Sequence, residues 1–301
     1  MPLISIIIPT YNRLPMLERA INSVLAQTHV DWELIINDDG SSDGTTDFLQ
    51  RLQRAWSRPQ RLQCFRQGNH GVSHARNRAV EQATGDWLAF LDSDDEWLPD
   101  KLTRQIPLCT GFRWIHGEEI WMRNGRRVNP QAKHAKSGGL IFSRCVELCC
   151  VSPSTALIQT DLFRSLEGFR EDFPVCEDYE LWLRLSMFHR AGFIQDAVII
   201  RHGGHDDQLS RRFHSMDYFR VKALIPFLQS DLLNKEDRGL VDHTIEQKCG
   251  YLLKGYGKHG HERNLGEVLT WHAQALKALT QLQMTHSAAE SLPRSLDSLI
   301  L

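Results

Sequence analysis

Short β-branched apolar runs alternate with amphipathic, helix-length segments over the first third of the chain, and no other feature limits the fold as tightly. Leu3-Ile4-Ser5-Ile6-Ile7-Ile8, closed by Pro9, has the pattern of a strand buried on both faces. Leu14, Leu17, Ile21, Val24 and Leu25 then recur at helical spacing over 14–27. Trp32-Glu33-Leu34-Ile35-Ile36 is a second strand, running into Asn37-Asp38-Asp39-Gly40-Ser41. A helix over 45–56 follows, with Asp43-Gly44 and Thr45 supplying turn and cap chemistry. Next come a strand at 62–66, a loop at Gly68-Asn69-His70-Gly71, a helix over 72–83 and a strand ending at Leu91. Such a succession predicts parallel βαβ units with right-handed crossovers, whose ligands bind at the carboxyl ends of the strands.

Beyond Pro107 the character changes. The segment 112–123, then Asn124-Gly125, then Arg126-Arg127-Val128 predicts a hairpin on a type I′ turn. The polar stretch 133–139 reads as a mobile loop, 154–158 as a strand and 160–166 as a short helix. A helix over 177–189 carries an apolar stripe of Tyr179, Leu181, Trp182, Leu185 and Phe188, followed by a strand over 193–200. From Met216 the pattern is helical, broken near Pro226, with Ile245, Tyr251 and Leu252 in a middle helix, a last helix over 265–282 and a frayed end from Thr285. At 301 residues, 42% hydrophobic and 24% charged, the composition is that of a globular protein able to bury a large core. A formal net charge of −2 argues neither for nor against a nucleic-acid partner, and no apolar run reaches the roughly 20 residues a membrane span needs. The start has no basic segment of the signal-peptide kind, and the seven cysteines, without C-x-x-C pairing, read as core thiols of a reducing compartment.

The run Leu91-Asp92-Ser93-Asp94-Asp95 puts three carboxylates in four residues at a strand end. Carboxylates this close repel one another unless water or a cation screens them, and hard ions such as Mg²⁺ or Mn²⁺ take oxygen ligands. An Asp-x-Asp at that position is a natural seat for a metal–diphosphate, where an isolated one would pass as a solvated acidic turn. Alternation along the exiting chain places Asp92 and Asp94 on one side, and Asp95 reads as a turn or helix cap.

Five motifs together resemble the family 2 glycosyltransferases: Ser5-Ile6-Ile7-Ile8-Pro9-Thr10-Tyr11-Asn12, Asn37-Asp38-Asp39-Gly40-Ser41-Ser42-Asp43, Ala75-Arg76-Asn77, Gly85-Asp86 leading into Phe90-Leu91-Asp92-Ser93-Asp94-Asp95, and Glu177-Asp178-Tyr179-Glu180-Leu181-Trp182. The similarity covers about 3–210 in the family's order. It implies an α/β fold of GT-A type, a Rossmann-like, mostly parallel sheet flanked by helices with a C-terminal helical extension. It also implies a nucleotide-diphosphate sugar donor, a divalent metal (Mn²⁺ or Mg²⁺) and an inverting mechanism. On this reading 1–215 form the transferase domain, 1–105 binding the donor and 106–215 building the acceptor side, and 216–301 form the extension.

Carried onto these positions, the resemblance assigns Pro9, Thr10, Tyr11, Asp39, Arg76, Asp92 and Ser93 to the nucleotide and Asp94 to the metal. A carboxylate such as Asp39 can accept the N–H of uracil; the competing use of an acid here is an Asx turn, open to Asp38 and Asp43 as well. Tyr11 can offer a ring face to the base. Inversion needs one base on the face opposite the leaving group. Asp178 is the candidate, at a helix start that favours its ionised form, with Glu177 as confounder and N-terminal capping as the bland role for both. In Arg201-His202-Gly203-Gly204-His205 the glycines permit close approach to a ligand, and His202 is the second metal candidate, ahead of His205.

The expected partners are a UDP-sugar or similar donor and a glycan or lipid-linked acceptor, with no nucleic acid; the expected location is the cytoplasm, with peripheral contact at the inner membrane face compatible. Polysaccharide, lipid-linked and protein acceptors stay open. Two other classes compete. A sugar-nucleotide pyrophosphorylase would want a Gly-rich, basic phosphate loop after the first strand, which Pro9-Thr10-Tyr11-Asn12-Arg13 is not. A non-catalytic nucleotide-sugar-binding protein with a degenerate fold would have no need of Asp39, Asp94 and Asp178 together.

Overall fold

The computed structural model describes residues 2–204, 215–228, 230–260 and 263–290 and divides into two compact units, Met1–His214 and Ser215–Leu301. In the first, one sheet runs in the order β3-β2-β1-β4-β8-β6-β9-β5, with β7 paired to β6. The strands are β1 (Ile4–Thr10), β2 (Trp32–Asp38), β3 (Leu62–Arg66), β4 (Trp87–Phe90), β5 (Glu96–Trp97), β6 (Trp114–Arg123), β7 (Arg126–Val128), β8 (Leu157–Gln159) and β9 (Gly192–Gly203). β3, β2, β1 and β4 are mutually parallel, and their crossovers are α1 (Leu14–Leu25), α2 (Thr45–Arg54) and α3 (Val72–Glu81). Every residue of β1 and β2 is buried, as continuous apolar runs between two helical layers require.

Pro9 does not end β1. It lies inside the strand, opposite Asn37, and β1 continues to Thr10. The Ile4 N–H reaches Asp31 O on the β2 side, so alternation turns the Pro9 nitrogen toward β4, whose pairing with β1 ends at Ile7. The second half of the sheet is mixed: β8 is antiparallel to β4 and β6, and β9 is parallel to β6 through irregular register at Gly117–Glu119. The β6–β7 hairpin turns on Asn124 (φ 50°) and Gly125 (φ 72°), the two positive dihedrals that a type I′ turn demands.

Four local expectations need correction. Residues 153–155 form a 3-10 turn, and the strand starts only at Leu157. The loop 133–139 is not free: Lys136 forms a buried ion pair with Glu119 at 3.1 Å, the ring of His116 meets Ser137 O at 2.9 Å, and Gly139 bridges Ala191. Phe188 lies outside the buried stripe of α7 (Glu177–Phe188), being 60% exposed. The last helix continues to Glu290, past the expected fray point. Between the strands the shorter helices are α4 (Lys101–Gln105), α5 (Phe142–Glu147) and α6 (Thr160–Ser165).

The second unit is helical: α8 (Met216–Leu224), a 3-10 turn at Ile225–Phe227, α9 (Lys235–His259) and α10 (Leu265–Glu290). Asn234 caps α9 by accepting from the Asp237 N–H, and Gly260 ends it in the left-handed region. Val241, Ile245, Cys249, Leu252 and Tyr256 form its buried stripe, which α10 meets with Val268, Ala275 and Ala278; Tyr251 faces outward.

Candidate functional site

The carboxyl ends of β2 and β4 carry Asp39 and Asp92–Asp95, and that of β1 carries Pro9, Thr10 and Tyr11 beside them. Asp39 follows β2 directly, and its N–H bonds Thr10 O. One of its carboxylate oxygens accepts from Gln67 Nε2 (2.7 Å) and the His70 N–H (2.9 Å), the other from the Gly71 N–H (2.8 Å). A carboxylate has about four acceptor positions, so one is left for a further donor. Asp39 is not the Asx cap. Asp38 accepts from the Ser41 N–H and the Thr46 hydroxyl, and Asp43 accepts from the N–H groups of Leu14 and Thr45, so the neighbours do that work. Gly40, at φ +87° with Gln67 O and Asn69 N close to where a Cβ would sit, lets the loop after β3 fold onto Asp39. Pro9 and Thr10 are buried beneath this corner; Tyr11 is 39% exposed and borders it.

The Asp92–Asp95 segment is a turn, not an exiting strand. β4 ends at Phe90, and the Asp95 N–H bonds Asp92 O at 3.0 Å. Strand alternation therefore does not sort these side chains. The turn brings one oxygen each of Asp92, Asp94 and Asp95 to within 4.8 Å of one another. Asp94 pairs with Arg13 at 2.8 Å, and Arg19 donates to the Asp94 carbonyl. Ser93 is buried. Asp95 is no cap: it accepts from the Ser154 hydroxyl (2.6 Å) and the His202 N–H (3.1 Å). Ser154 in turn accepts from the Asp92 N–H. Burial, with Asp94 and Asp92 alongside, pushes the Asp95 carboxyl well above the usual carboxylate range. β5, unforeseen because it has only two residues, pairs Glu96 with Ile200 and so lays the turn against β9. The His202 ring lies 3.4 Å from Glu96, and burial, with Arg19 acting the same way, holds it below the ordinary histidine range. His205 lies outside the described residues.

Arg76 ties the turn to α7. Its side chain is buried; one terminal nitrogen donates to Asp92 at 2.6 Å, the other to Glu177 at 2.7 Å, and the guanidinium lies 4.9 Å from the Phe169 ring centroid. Asn77 completes the clamp by exchanging hydrogen bonds with the backbone of Phe169. Arg76 thus holds two internal carboxylates together. Glu177 and Asp178 differ sharply. Glu177 is buried on Arg76, and burial, reinforced by Asp178, pushes its carboxyl up to about 7 against the pull of Arg76. Asp178 is half-buried; one oxygen accepts from the Tyr179 N–H at 2.7 Å and the other from the Cys149 thiol at 3.2 Å.

Arg13, Gln67, Ser154 and Cys149 were not foreseen. Arg13 follows the Tyr11-Asn12 corner and was readable as a cation near acids. Nothing in the spacing of Ser154 or Cys149 points to Asp95 or Asp178. As a donor set, three carboxylates converging at a strand end suit a hard divalent cation, and the guanidinium of Arg13 already holds a positive charge against Asp94.

Residues 5–110 match the model of a family described as glycosyl transferase family 2. The Escherichia coli protein UDP-Glc:alpha-D-GlcNAc-diphosphoundecaprenol beta-1,3-glucosyltransferase WfgD is 34% identical over 189 residues, covering 61% of this chain and 69% of that protein. A glycosyltransferase of Rickettsia felis is 31% identical over 197 residues, covering 64% of this chain; the match spans only 31% of that relative's length. The crystal structure of S. aureus TarS 1–349 in complex with UDP-GlcNAc aligns with a TM-score of 0.73 at 20% identity, covering 92% of this chain and 81% of that one. At that identity the likeness bears on the fold alone, which is of GT-A type.

Proposed function

The chain belongs to glycosyltransferase family 2, and from that membership we propose that it moves a sugar, with inversion, from a UDP-sugar to a hydroxyl of a lipid-linked glycan. The observation that carries this is the convergence of the acids: the Asp92–Asp95 turn is joined through Arg76 and Glu177 to the helix start that holds Asp178. The WfgD name supports a UDP-sugar donor and a diphosphoundecaprenol-linked acceptor.

In this reading Asp39 offers its remaining acceptor position to the uracil N–H, and Tyr11 lies along the base. Thr10 and Pro9 form the floor beneath it. Asp94, with Asp92 beside it and His202 as a further ligand candidate, would hold a divalent cation in place of the Arg13 contact. When bound, that cation neutralises the diphosphate and stabilises charge on the departing UDP. Ser93 stays with the donor side as part of the turn. Arg76 is a positioning residue here: it fixes Asp92 and Glu177, and so the start of α7.

Asp178 takes the acceptor proton. Its carboxylate is held by the Tyr179 N–H and the Cys149 thiol, at the end of a helix whose dipole favours the ionised form. Glu177, buried and bound to Arg76, is not available for that task. Among the described residues no helix is long and apolar enough to cross a membrane.

Thermal protection by a panel of nucleotide-sugars, each with Mn²⁺ and with EDTA, tests the donor and metal together, because a ligand bound by the native state raises apparent stability. UDP-sugars should protect in Mn²⁺ and lose most of that protection in EDTA. Protection by no nucleotide-sugar, or equal protection in EDTA, contradicts the reading.

A further inference from the structure

The β6–β7 hairpin and the loop behind it have a charge unlike the rest of the molecule. Between 121 and 136 the chain carries Arg123, Arg126, Arg127, Lys133 and Lys136 and no acid, in a protein of formal net charge −2. Lys136 is used internally, on Glu119. Arg123, Arg126, Arg127 and Lys133 are exposed, and among the described residues their side chains make no ion pair.

Their placement is specific. Arg123 faces Arg126 across the hairpin and Arg127 faces Met122, so successive side chains put cations on both faces of the ribbon. Among the described residues β7 pairs with β6 alone, which leaves its outer edge open. Cations on an edge strand also discourage edge-to-edge pairing, and that accounts for Arg126 and Arg127. It does not account for Arg123 on the inner strand, or for Lys133 on the loop. The loop itself is held firmly beneath its charges, by Lys136 on Glu119, by His116 on Ser137 O, and by Arg144 on the carbonyls of Lys133 and Ala135. Arg201, opposite Trp121 on β9, interacts electrostatically with Asp95 and Asp178, so the basic lobe adjoins the carboxylate site.

We propose that this lobe is a docking surface for the anionic headgroups of a lipid bilayer. The cations flank the hairpin turn, so a ribbon presented tip-on brings Arg123, Arg126 and Arg127 toward one plane of negative charge. Clusters of four to eight basic residues bind acidic bilayers at about fivefold in affinity per cation, and the attraction is screened by salt. The rationale rests on the lipid-linked acceptor proposed above, but the binding is measured without any transfer.

The test is co-sedimentation of the full chain with vesicles of phosphatidylglycerol and phosphatidylcholine, against phosphatidylcholine alone, at low and high salt. Binding should require phosphatidylglycerol and weaken as salt rises. The triple variant R123E/R126E/R127E should bind at least about 100-fold more weakly, and the milder R126Q/R127Q about 25-fold, at unchanged melting temperature. Both should keep transfer to a water-soluble, short-chain acceptor. Equal binding to both vesicle types, or unchanged binding by the milder variant, overturns the proposal. So does binding only when a polyprenyl diphosphate is added to neutral vesicles, which would assign the cations to the acceptor itself. A protein that binds vesicles but transfers no sugar would leave this surface standing and remove the transferase reading.

Discussion

Arg76 sits buried between Asp92 and Glu177, and three of the acids that matter hang on that one guanidinium, since Asp178 follows Glu177. Breaking a buried ion pair leaves an uncompensated charge, which typically costs about 3–5 kcal/mol. Arg76→Met should therefore lower unfolding stability by about that much in urea denaturation; a loss below about 1 kcal/mol would mean the pairs are solvated and the coupling is wrong. Asp39 is held differently, by three N–H donors with one acceptor position left over. Asp39→Asn replaces an acceptor-only group by one that also donates, so it should blunt discrimination between UDP and GDP in calorimetry while leaving metal dependence intact. Wild-type protein that binds GDP as tightly as UDP would remove this role from Asp39.

At the scale of elements, the loop 133–139 and strands β6 and β9 enclose a polar patch with its own pH signature. Burial, with Lys136 adding to it, pushes His116 down to about 3, and its ring stays neutral in the fold. The unfolded chain takes that proton below about 6.5, so this histidine's contribution is intact above pH 6.5 and is lost as pH falls toward 3. Glu177, raised to about 7, acts with the opposite sign over the same range, so the informative quantity is a difference between proteins. Wild type minus His116→Gln should lose about 1.4 kcal/mol of stability per pH unit from pH 6.5 to 4.5; parallel curves would contradict a buried neutral histidine. The same region shows where sequence reading stops. β1, β2 and α1 were legible because runs such as Ile4–Ile8 and the helical spacing of Leu14, Leu17, Ile21, Val24 and Leu25 are local signals. β5 has two residues and exists because β9 is there to pair with it. Asp95 was misread as a cap because its partners, Ser154 and His202, are remote in the chain. The contacts of Cys149 with Asp178 and of Arg76 with Glu177 are tertiary in the same way. Motif order located the acids and put Asp178 ahead of Glu177, and packing adds that Glu177 is buried on Arg76 while Asp178 is half-buried.

For the whole molecule, a sheet whose parallel half supplies Asp39 and the Asp92–Asp95 turn is joined to a mixed half that carries α7, and Arg76 crosses from one half to the other. The proposed chemistry draws on both halves, the donor side for the nucleotide-sugar and α7 for the proposed base. Asp178 is therefore the residue on which the account turns. Asp178→Asn keeps size and the hydrogen bond from the Tyr179 N–H but cannot act as a base, a loss typically worth about 10²–10⁴-fold in rate. Glu177→Gln is the comparison: it removes the charge facing Arg76 and should lower the melting temperature. The decisive measurement is the steady-state transfer rate of Asp178→Asn with its donor affinity and melting temperature determined alongside. The account predicts a fall in kcat of about 10²-fold or more, with donor binding and thermal stability unchanged. A fall of less than about threefold, or one matched by lost donor affinity or lost stability, would return Asp178 to the role of a helix cap and place the base elsewhere.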